Sequence, residues 1–275
     1  MTEITIALCQ MNVVDNKEKN IEKAIEMINN AIAKNADFIV LPEMFNCPYE
    51  NEKFIEYCEN GKKSETVAKI SEMARLNNVY ILAGSISEQE NSNIYNTSYF
   101  FNRNGEMIAK HRKMHLFDID VKDKIYFKES DTLTAGNEIT VAETDFGKIG
   151  IGICYDIRFP ELARLMVNEG AEILFYPGAF NLTTGPAHWE LLFRARALDN
   201  QVYCVGVAPA LDKEANYNSY GHSIITNPWG EVVVEGDYGE ELIIGKIDLD
   251  EIKRIREELP LLKNKRNDIY KLDKI

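Results

Sequence analysis

Three short segments of the chain each offer one side chain suited to covalent catalysis: Glu43 in LPEMFNCPYE, Lys113 in KHRKMHLFD and Cys154 in GIGICYDIRFPE. Together they provide a base, a cation and a sulfur nucleophile. A thiol that attacks a carbonyl carbon needs a neighbouring group to accept its proton and a positive donor where the oxyanion forms. These residue types therefore indicate acyl chemistry through a thioester, if the fold brings them together.

The elements that must position them occur twice. ADFIVLPEMFN (36–46) returns as AEILFYPGAFN (171–181), NNVYILAG (77–84) as NQVYCVGV (200–207), and the hairpin SYFFNRNGEMI (98–108) as SIITNPWGEVV (223–233), in the same order. This pattern indicates an internal duplication. We predict a single domain over 1–275, with half-repeats of about 1–145 and 146–247 and a tail over 248–275.

Each half alternates strands with helices. Apolar residues at helical spacing predict helices over about 17–34 and 64–77 in the first half and over 160–169 and 186–199 in the second. Hairpins are expected to turn at Asn104-Gly105 and at 227–230. This order implies two mixed sheets facing each other between helical layers, an α/β fold of the four-layer α-β-β-α type. In the tail, a short helix should stop before Pro260.

The composition excludes several classes of protein. Of the 275 residues, 45% are hydrophobic and 27% charged, which indicates a packed core. The net charge of −13 disfavours non-specific binding to nucleic acid or an anionic membrane. The N-terminal segment lacks the basic start of a signal peptide, and no apolar run is long enough to span a membrane, so we expect a cytoplasmic protein. The five cysteines are scattered without C-x-x-C spacing, which favours reduced thiols over disulfides or zinc ligands.

Cys154 ends an apolar stretch, and Pro160, which suits the first turn of a helix, follows soon after it. A thiol at such a strand-to-helix junction lies near backbone amides. We therefore expect its pKa to be lowered and the Tyr155 amide to bind the oxyanion. By position alone, a single cysteine at a strand end is more often a small core residue. We interpret Cys9, at the duplicated position of the first half, in that way.

Glu43 ends an apolar strand, where a buried carboxylate is costly unless it is paired or functional. In the second repeat Gly178 occupies the equivalent position, so the scaffold itself does not require an acid. The contrast favours chemistry. Glu43 would accept the Cys154 proton, pass it to the leaving group and then activate water.

Lys113 lies in a basic cluster, and such clusters often only protect the edge of a sheet from pairing. A fixed ammonium at this position could also stabilise a tetrahedral oxyanion. His111 and His115 are four residues apart, as in helix-borne zinc motifs, but the sequence offers neither a third ligand nor an acid between them. We therefore expect no metal.

The residues around all three side chains resemble the carbon–nitrogen hydrolases of the nitrilase superfamily. GICYDIRFPE is similar to their nucleophile segment almost throughout, and the resemblance extends over nearly the whole chain, including YPGAFNLTTGPAHWELL (176–192). It implies the α-β-β-α architecture, a Glu43–Lys113–Cys154 triad and no metal or organic cofactor. It also implies that Glu129 is a second site glutamate that helps to place the lysine, although alone it would be interpreted as a loop carboxylate.

For substrate binding we select residues in loops after strand ends: Tyr49, Arg158, Thr183, Thr184 and His188. An acidic protein that accepts an anionic substrate must supply local donors. Tyr49 and the Thr183-Thr184 pair belong to the more specific segments and are the preferred candidates. Arg158 could instead brace the nucleophile loop through Asp156 or Glu161.

The members of the superfamily that the chain resembles most hydrolyse the terminal amide of α-keto dicarboxylic monoamides, such as α-ketoglutaramate and α-ketosuccinamate, to ammonia and a keto acid. Two alternatives stay open: another amidase or N-carbamoyl amidohydrolase of the same superfamily, and a non-catalytic scaffold, against which the intact triad weighs. The second-half helices carry apolar residues beyond one core-facing stripe, and the resemblance implies that they pair across a two-fold axis in a homodimer.

Overall fold

The computed structural model of the chain describes residues 3–61, 63–122 and 125–274. Its helices are α1 (Lys17–Ile32), α2 (Asn51–Glu56), α3 (Glu65–Asn77), α4 (Pro160–Asn168), α5 (Gly185–Asn200) and α6 (Asp250–Glu258). Its strands are β1 (Glu3–Gln10), β2 (Phe38–Val40), β3 (Glu59–Asn60), β4 (Tyr80–Leu82), β5 (Ile86–Glu90), β6 (Asn93–Phe101), β7 (Met107–Arg112), β8 (Asp118–Val121), β9 (Ile125–Lys128), β10 (Thr140–Thr144), β11 (Gly147–Ile151), β12 (Ala171–Pro177), β13 (Tyr203–Val207), β14 (Ile224–Thr226), β15 (Val232–Glu235) and β16 (Glu241–Asp248). Short 3-10 turns cover Glu129–Asp131 and Cys154–Arg158.

The strands form two large sheets and a separate hairpin of β8 and β9. The eight-stranded sheet has the order β16-β1-β2-β4-β6-β5-β3, with β7 also paired to β6, and the six-stranded sheet has the order β10-β11-β12-β13-β14-β15. Strands β1, β2 and β4 run parallel in the first sheet, as do β11, β12 and β13 in the second. Both sheets are mixed because antiparallel strands flank these parallel centres.

Three apolar cores separate four layers. Alternate residues of β1, such as Ile4 and Ile6, pack between the sheets against residues of the second sheet such as Ile149. The intervening residues Ala7 and Cys9 face a core beneath α1 and α3. A third core lies beneath α4 and α5. The α-β-β-α prediction is confirmed, and so is the interpretation of Cys9 as a core residue.

The helices agree with the predicted spans to within two residues at either end. Asn16 and Ser64 cap the starts of α1 and α3 by accepting backbone N–H groups. Pro160 is the first residue of α4, and α6 ends two residues before Pro260. None of the helices in the described part of the chain combines the length and the apolar composition that crossing a bilayer requires.

The two halves exchange an edge strand. β10 follows the first hairpin in sequence yet pairs antiparallel with β11 of the second half. Conversely, β16 follows the second hairpin and pairs with β1 of the first half, over the full register from Glu3 with Asp248 to Gln10 with Glu241. Each sheet therefore takes one edge strand from the other repeat, which ties the halves into one hydrogen-bonded structure.

Candidate active site

The site lies where loops of both sheets meet. Glu43 follows β2 of the first sheet, whereas Cys154 and Ala179 follow β11 and β12 of the second. Parallel strands bring their carboxyl ends, and the loops beyond them, to the same edge of a sheet. Lys113 follows β7 directly, and its N–H group donates to Asn96 O.

Lys113 is fully buried and makes three hydrogen bonds. Its Nζ donates to Glu43 Oε1 at 2.9 Å, to Glu129 Oε1 at 2.9 Å and to the Tyr49 hydroxyl at 3.2 Å. An ammonium has three donors, so all of them are used. Burial alone would lower the pKa of Lys113, but the charges of Glu129 and Glu43 raise it well above its usual value. The lysine is therefore a fixed positive charge.

Glu129 holds the lysine on one side. Its carboxylate accepts the Tyr49 hydroxyl at 2.5 Å and the Phe117 backbone N–H at 2.6 Å, in addition to Lys113. Glu129 is the first residue of the 3-10 turn Glu129–Asp131, and its side chain is fully buried. The resemblance proposed that Glu129 helps to place the lysine, and the structure puts its carboxylate within hydrogen-bond distance of Lys113.

Glu43 faces the nucleophile. Its Oε1 accepts Asn96 Nδ2 at 2.8 Å as well as Lys113, and its Oε2 accepts the Ala179 N–H at 2.7 Å. Burial raises the pKa of Glu43, against the attraction of Lys113, and the nearby charge of Glu129 adds to the rise. A carboxylate with a raised pKa is a stronger base than an ordinary glutamate, which suits proton transfer.

Cys154 lies beside the Glu43 carboxylate and the Ala179 backbone. Its backbone is left-handed, with φ of 47°, a conformation that costs energy for a side chain other than glycine. Burial, reinforced by the charge of Glu43, raises the pKa of the thiol well above its usual value. The predicted lowering of this pKa is wrong, because desolvation outweighs the backbone amides. The resting thiol is protonated and needs a base.

The position that duplicates Glu43 is occupied by glycine for a steric reason. A Cβ at Gly178 would lie 3.3 Å from Cys154 Cα and 3.3 Å from the Trp189 ring. At this position the backbone of the second repeat thus comes close to Cys154, whereas the first repeat contributes a carboxylate. The next residue, Ala179, supplies the amide that Glu43 accepts.

Asp156 holds the segment around Cys154 in place through hydrogen bonds. It accepts His111 Nε2 at 3.1 Å, His115 Nδ1 at 2.7 Å and the Ile153 N–H at 2.9 Å. An ionised carboxylate only accepts, so each of these ring nitrogens carries a proton. Burial would raise the pKa of Asp156, but the hydrogen bonds from His111 and His115 outweigh it and hold the pKa well below its usual value.

This arrangement bears on the alternatives for Arg158 and for the two histidines. Asp156 is bound by histidines, whereas no salt bridge joins Arg158 to Asp156 or Glu161 among the described residues. The two histidines also do not form a helical pair, since His111 lies on β7 and His115 in the loop after it. In the described ranges no group of His, Cys, Asp and Glu side chains could hold a metal ion.

A narrow pocket lies beside Cys154. It is lined by Phe117, Cys154, Tyr155, Arg158, Ala179, Phe180, Thr184 and Tyr217. The structure therefore brings Arg158 and Thr184 to the nucleophile, together with Tyr155. Thr183 is exposed and does not line this pocket.

Arg158 is a largely buried cation. Its guanidinium lies 4.6 Å from the Phe180 ring centroid and 5.5 Å from that of Tyr155. It donates to His188 Nδ1 at 3.1 Å, and its Nε has no hydrogen-bond partner in the part of the chain that the structure describes. Burial and the charge of Arg158 both lower the pKa of His188, so this imidazole is a neutral acceptor at neutral pH.

Sequence reasoning missed three residues of the site. Asn96 is fully buried and donates to Glu43, which no motif around it indicates. Tyr217, whose hydroxyl donates to Ala179 O, and Phe117 line the pocket without any preceding motif. The Lys113 N–H group donates to Asn96 O, so the hairpin of β6 and β7 places these two residues opposite each other, but only the known hairpin register reveals that proximity.

Known proteins resemble this chain in sequence and in fold. A family model described as carbon-nitrogen hydrolase matches residues 5–257. The chain is 46% identical over 273 residues to omega-amidase NIT2 of Xenopus tropicalis, with 99% of each chain covered. It is 49% identical over 263 residues to nitrilase homolog 2 of Dictyostelium discoideum, covering 95% of this chain and 80% of that protein. The crystal structure of Saccharomyces cerevisiae Nit3, a member of branch 10 of the nitrilase superfamily, superposes with a TM-score of 0.88 at 40% identity, over 96% of this chain and 97% of that one.

The buried Asp156 should make the fold sensitive to acid. A carboxyl whose folded pKa is lowered stabilises the protein above its unfolded pKa of about 3.9, and this stabilisation is lost as the pH falls further. We expect Asp156→Asn to lower the free energy of unfolding at neutral pH by about 3 kcal/mol, because it leaves the buried imidazole of His111 and the partly exposed one of His115 without their anion.

Urea unfolding at neutral pH and at about pH 3, below the unfolded pKa of the carboxyl, measures this difference, which should shrink at the lower value. Glu161→Gln, which removes an exposed carboxylate from the same segment, should be close to wild type at both. An Asp156→Asn variant as stable as wild type at neutral pH would contradict the assignment.

Proposed function

Because the chain belongs to the carbon–nitrogen hydrolase family and is an amidohydrolase, we propose that it hydrolyses the terminal amide of a short α-keto dicarboxylic monoamide. Candidate substrates are α-ketoglutaramate and α-ketosuccinamate, and the products are ammonia and the keto acid. The observation that carries this proposal is the unpaired guanidinium of Arg158 in the pocket beside Cys154.

A buried cation without an anionic partner is costly. Arg158 has no carboxylate within salt-bridge distance among the described residues, while Phe180 and Tyr155 hold its plane. Its free N–H groups match the two oxygens of a carboxylate. A substrate that carries a carboxylate at one end and an amide at the other would satisfy the cation and present the amide to Cys154.

The narrowness of the pocket supports a small substrate, because clefts that bind drug-sized ligands are larger, roughly 300 to 1,000 Å³. Thr184 is buried and lines the same pocket as Arg158. The name omega-amidase, carried by relatives at 44–47% identity, also supports an amidase.

In the first half of the reaction, Glu43 takes the proton of the Cys154 thiol as sulfur attacks the amide carbon. The tetrahedral intermediate collapses, the C–N bond breaks, and the proton passes from Glu43 to the leaving nitrogen, which departs as ammonia. A thioester on Cys154 remains. Water then attacks it, with Glu43 as base again, and releases the acid.

Lys113 stabilises the oxyanion as the tetrahedral intermediate forms. At rest its three donors are engaged by Glu43, Glu129 and Tyr49. Protonation of Glu43 by the thiol removes the charge that holds one of these bonds, so a donor becomes free as negative charge develops on the substrate oxygen. The Tyr155 amide, in the turn that Cys154 begins, is the proposed second donor.

The hydroxyl of Tyr49 is engaged with Glu129 and Lys113, and the ring does not line the pocket beside Cys154. We therefore assign Tyr49 to positioning of the lysine, and Arg158 with Thr184 to the substrate carboxylate. His188 acts by orienting the guanidinium. Thr183, exposed next to Thr184, is left at the pocket rim.

An ammonia-release assay tests the function as a whole. The panel contains α-keto acid amides, glutamine, a neutral short amide, a nitrile and an N-carbamoyl amino acid. Preference for the keto-acid amides supports the proposal, preference for the carbamoyl compound favours the alternative amidohydrolase, and release from none of them favours a scaffold.

The first variant tests the nucleophile. Cys154→Ala should fold normally and lose turnover to near background, because the covalent route is removed. Wild-type enzyme quenched during turnover should carry an acyl mass on the peptide that contains Cys154. Acylation found on Cys47, which is also buried near the site, would show that the assignment is wrong.

The second variant tests the carboxylate anchor. Arg158→Met keeps the apolar stem and should lower kcat/KM for a keto-acid amide by about 10- to 100-fold, mainly through KM, since one charge-assisted interaction is lost. Activity on a neutral short amide should change little. The control is Arg164→Met, because Arg164 is also half-buried but lies on α4 outside the pocket. Equal loss on both substrates would instead make Arg158 a brace of the nucleophile loop.

A third prediction concerns assembly, because we propose that the chain forms a homodimer. On α5, Leu191 and Leu198 lie two turns apart with 65% and 39% of their surfaces exposed, and Leu261 and Ile269 of the tail are exposed as well. Light scattering at micromolar concentration should give twice the chain mass of 31.4 kDa.

Leu191→Lys should weaken this dimer by about tenfold or more, because a charge would enter an apolar interface. Leu76→Lys on α3 is the matched control, since Leu76 is 62% exposed and belongs to the first half. A wild-type mass of one chain would refute the dimer.

A further inference from the structure

A second cavity, of about 40 Å³, reaches Glu43 and is not lined by Cys154. Most of its wall comes from the loop after β2, with Glu43 and Glu50, and from the loop after β13, with Ala210, Asp212 and Ser219. The pocket that holds Arg158 is lined by Cys154 and not by Glu43. The nucleophile and the base therefore face different cavities.

Ala179 and Tyr217 line both cavities and form the wall between them. The wall is held by hydrogen bonds, since the Tyr217 hydroxyl donates to Ala179 O and the Ala179 N–H donates to Glu43 Oε2 at 2.7 Å. The Tyr217 ring packs on the Tyr49 ring, with centroids 4.6 Å apart. Glu43 thus stands at the inner end of the second cavity, hydrogen-bonded to its wall.

The lining of the second cavity selects by charge. Besides Glu43 it contains Glu50 and Asp212, and no Lys, Arg or His of the described ranges belongs to it. Ser219, 5% exposed, points a hydroxyl into this lining that has no hydrogen-bond partner in the described ranges. Buried hydroxyls normally have a hydrogen-bond partner, so a small polar molecule in the cavity would supply it. Acidic walls repel an anionic keto acid and admit water, ammonia and ammonium.

The proposed reaction needs such a route, and in this respect the inference rests on the proposed function. After acylation, the acyl chain occupies the narrow pocket with its carboxylate on Arg158. Ammonia has then left the carbon, taking its proton from Glu43, and one water must arrive at Glu43 to attack the thioester. Both exchanges take place at the base, on the face that the acyl chain does not fill.

We propose that the cavity lined by Glu43, Glu50, Asp212 and Ser219 is a passage for ammonia, ammonium and water, separate from the pocket that binds the acyl part of the substrate. The passage lets the leaving group depart and the hydrolytic water enter while the acyl chain stays bound. Its acidic lining keeps the anionic substrate and product out.

Isotope exchange tests the passage. The enzyme hydrolyses an amide in the presence of ¹⁵N-ammonium, and the recovered amide is analysed by mass spectrometry for label gained by ammonia attack on the thioester. Wild type should incorporate label. Asp212→Lys should reduce incorporation per turnover by at least about fivefold, because it places a cation on the route of a cation.

Glu214→Lys is the matched control. It makes the same change of charge two residues away, on an exposed side chain outside the lining. Incorporation in this variant should equal that of wild type. Equal reduction by both variants would assign the effect to the general surface potential and overturn the proposal, as would the absence of label in wild-type amide.

A steric variant gives an independent measurement. Ala210 is 4% exposed and lines the cavity, so Ala210→Leu narrows it without touching the catalytic cluster. We expect kcat to fall by about tenfold with KM not raised, and the thioester to accumulate on Cys154 in intact-protein mass spectra. The control Ala33→Leu, at an exposed position at the end of α1, should behave as wild type.

A raised KM in Ala210→Leu would show that the cavity holds the substrate itself, and wild-type kinetics would show that nothing passes through it. Either result overturns the passage. The tests use the amide of the panel that wild type hydrolyses fastest. If that amide is neutral, the proposed substrate is wrong while the passage is still measured on its own.

Discussion

One ammonium group shared by two carboxylates is the interaction on which the site depends. Lys113, Glu43 and Glu129 are all buried, and such charges are tolerated in an interior only when geometry and further hydrogen bonds compensate for lost hydration. Here Tyr49, Asn96 and the backbone amides of Phe117 and Ala179 complete the network. Because these donors come from separate loops, the charged cluster also fixes the loops relative to each other.

The charges of this cluster bear on the state of Cys154. Burial first, and then the charge of the neighbouring carboxylates, raises the pKa values of Glu43 and of the Cys154 thiol, which makes Glu43 a stronger base and disfavours a free thiolate. In the proposed mechanism the site holds a base within reach of a protonated thiol, and a cation whose hydrogen bond to the base weakens when the base is protonated. Negative charge on sulfur and on the substrate oxygen therefore develops only when substrate is bound.

The duplicated architecture makes this possible. The two repeats place equivalent loops opposite each other, and their sequences have diverged so that one provides the Glu43 carboxylate while the other provides the glycine and amide of Gly178 and Ala179. The exchanged strands β10 and β16 join the sheets across the repeat boundary. A site assembled from both sheets therefore has a support that neither half would offer alone.

The sequence by itself determined the longer helices and the paired sheets, because period and duplication are local or repeated properties of the chain, and its motifs proposed the triad and Glu129 as site residues. Tertiary structure decided the rest. The thiol pKa follows from burial, which a strand-end motif does not report. Asp156 is bound by His111, 45 residues away, and Asn96 reaches Glu43 across 53 residues. Whether Arg158 is paired, and which cavity each reactive group faces, depends on neighbours that only packing brings together.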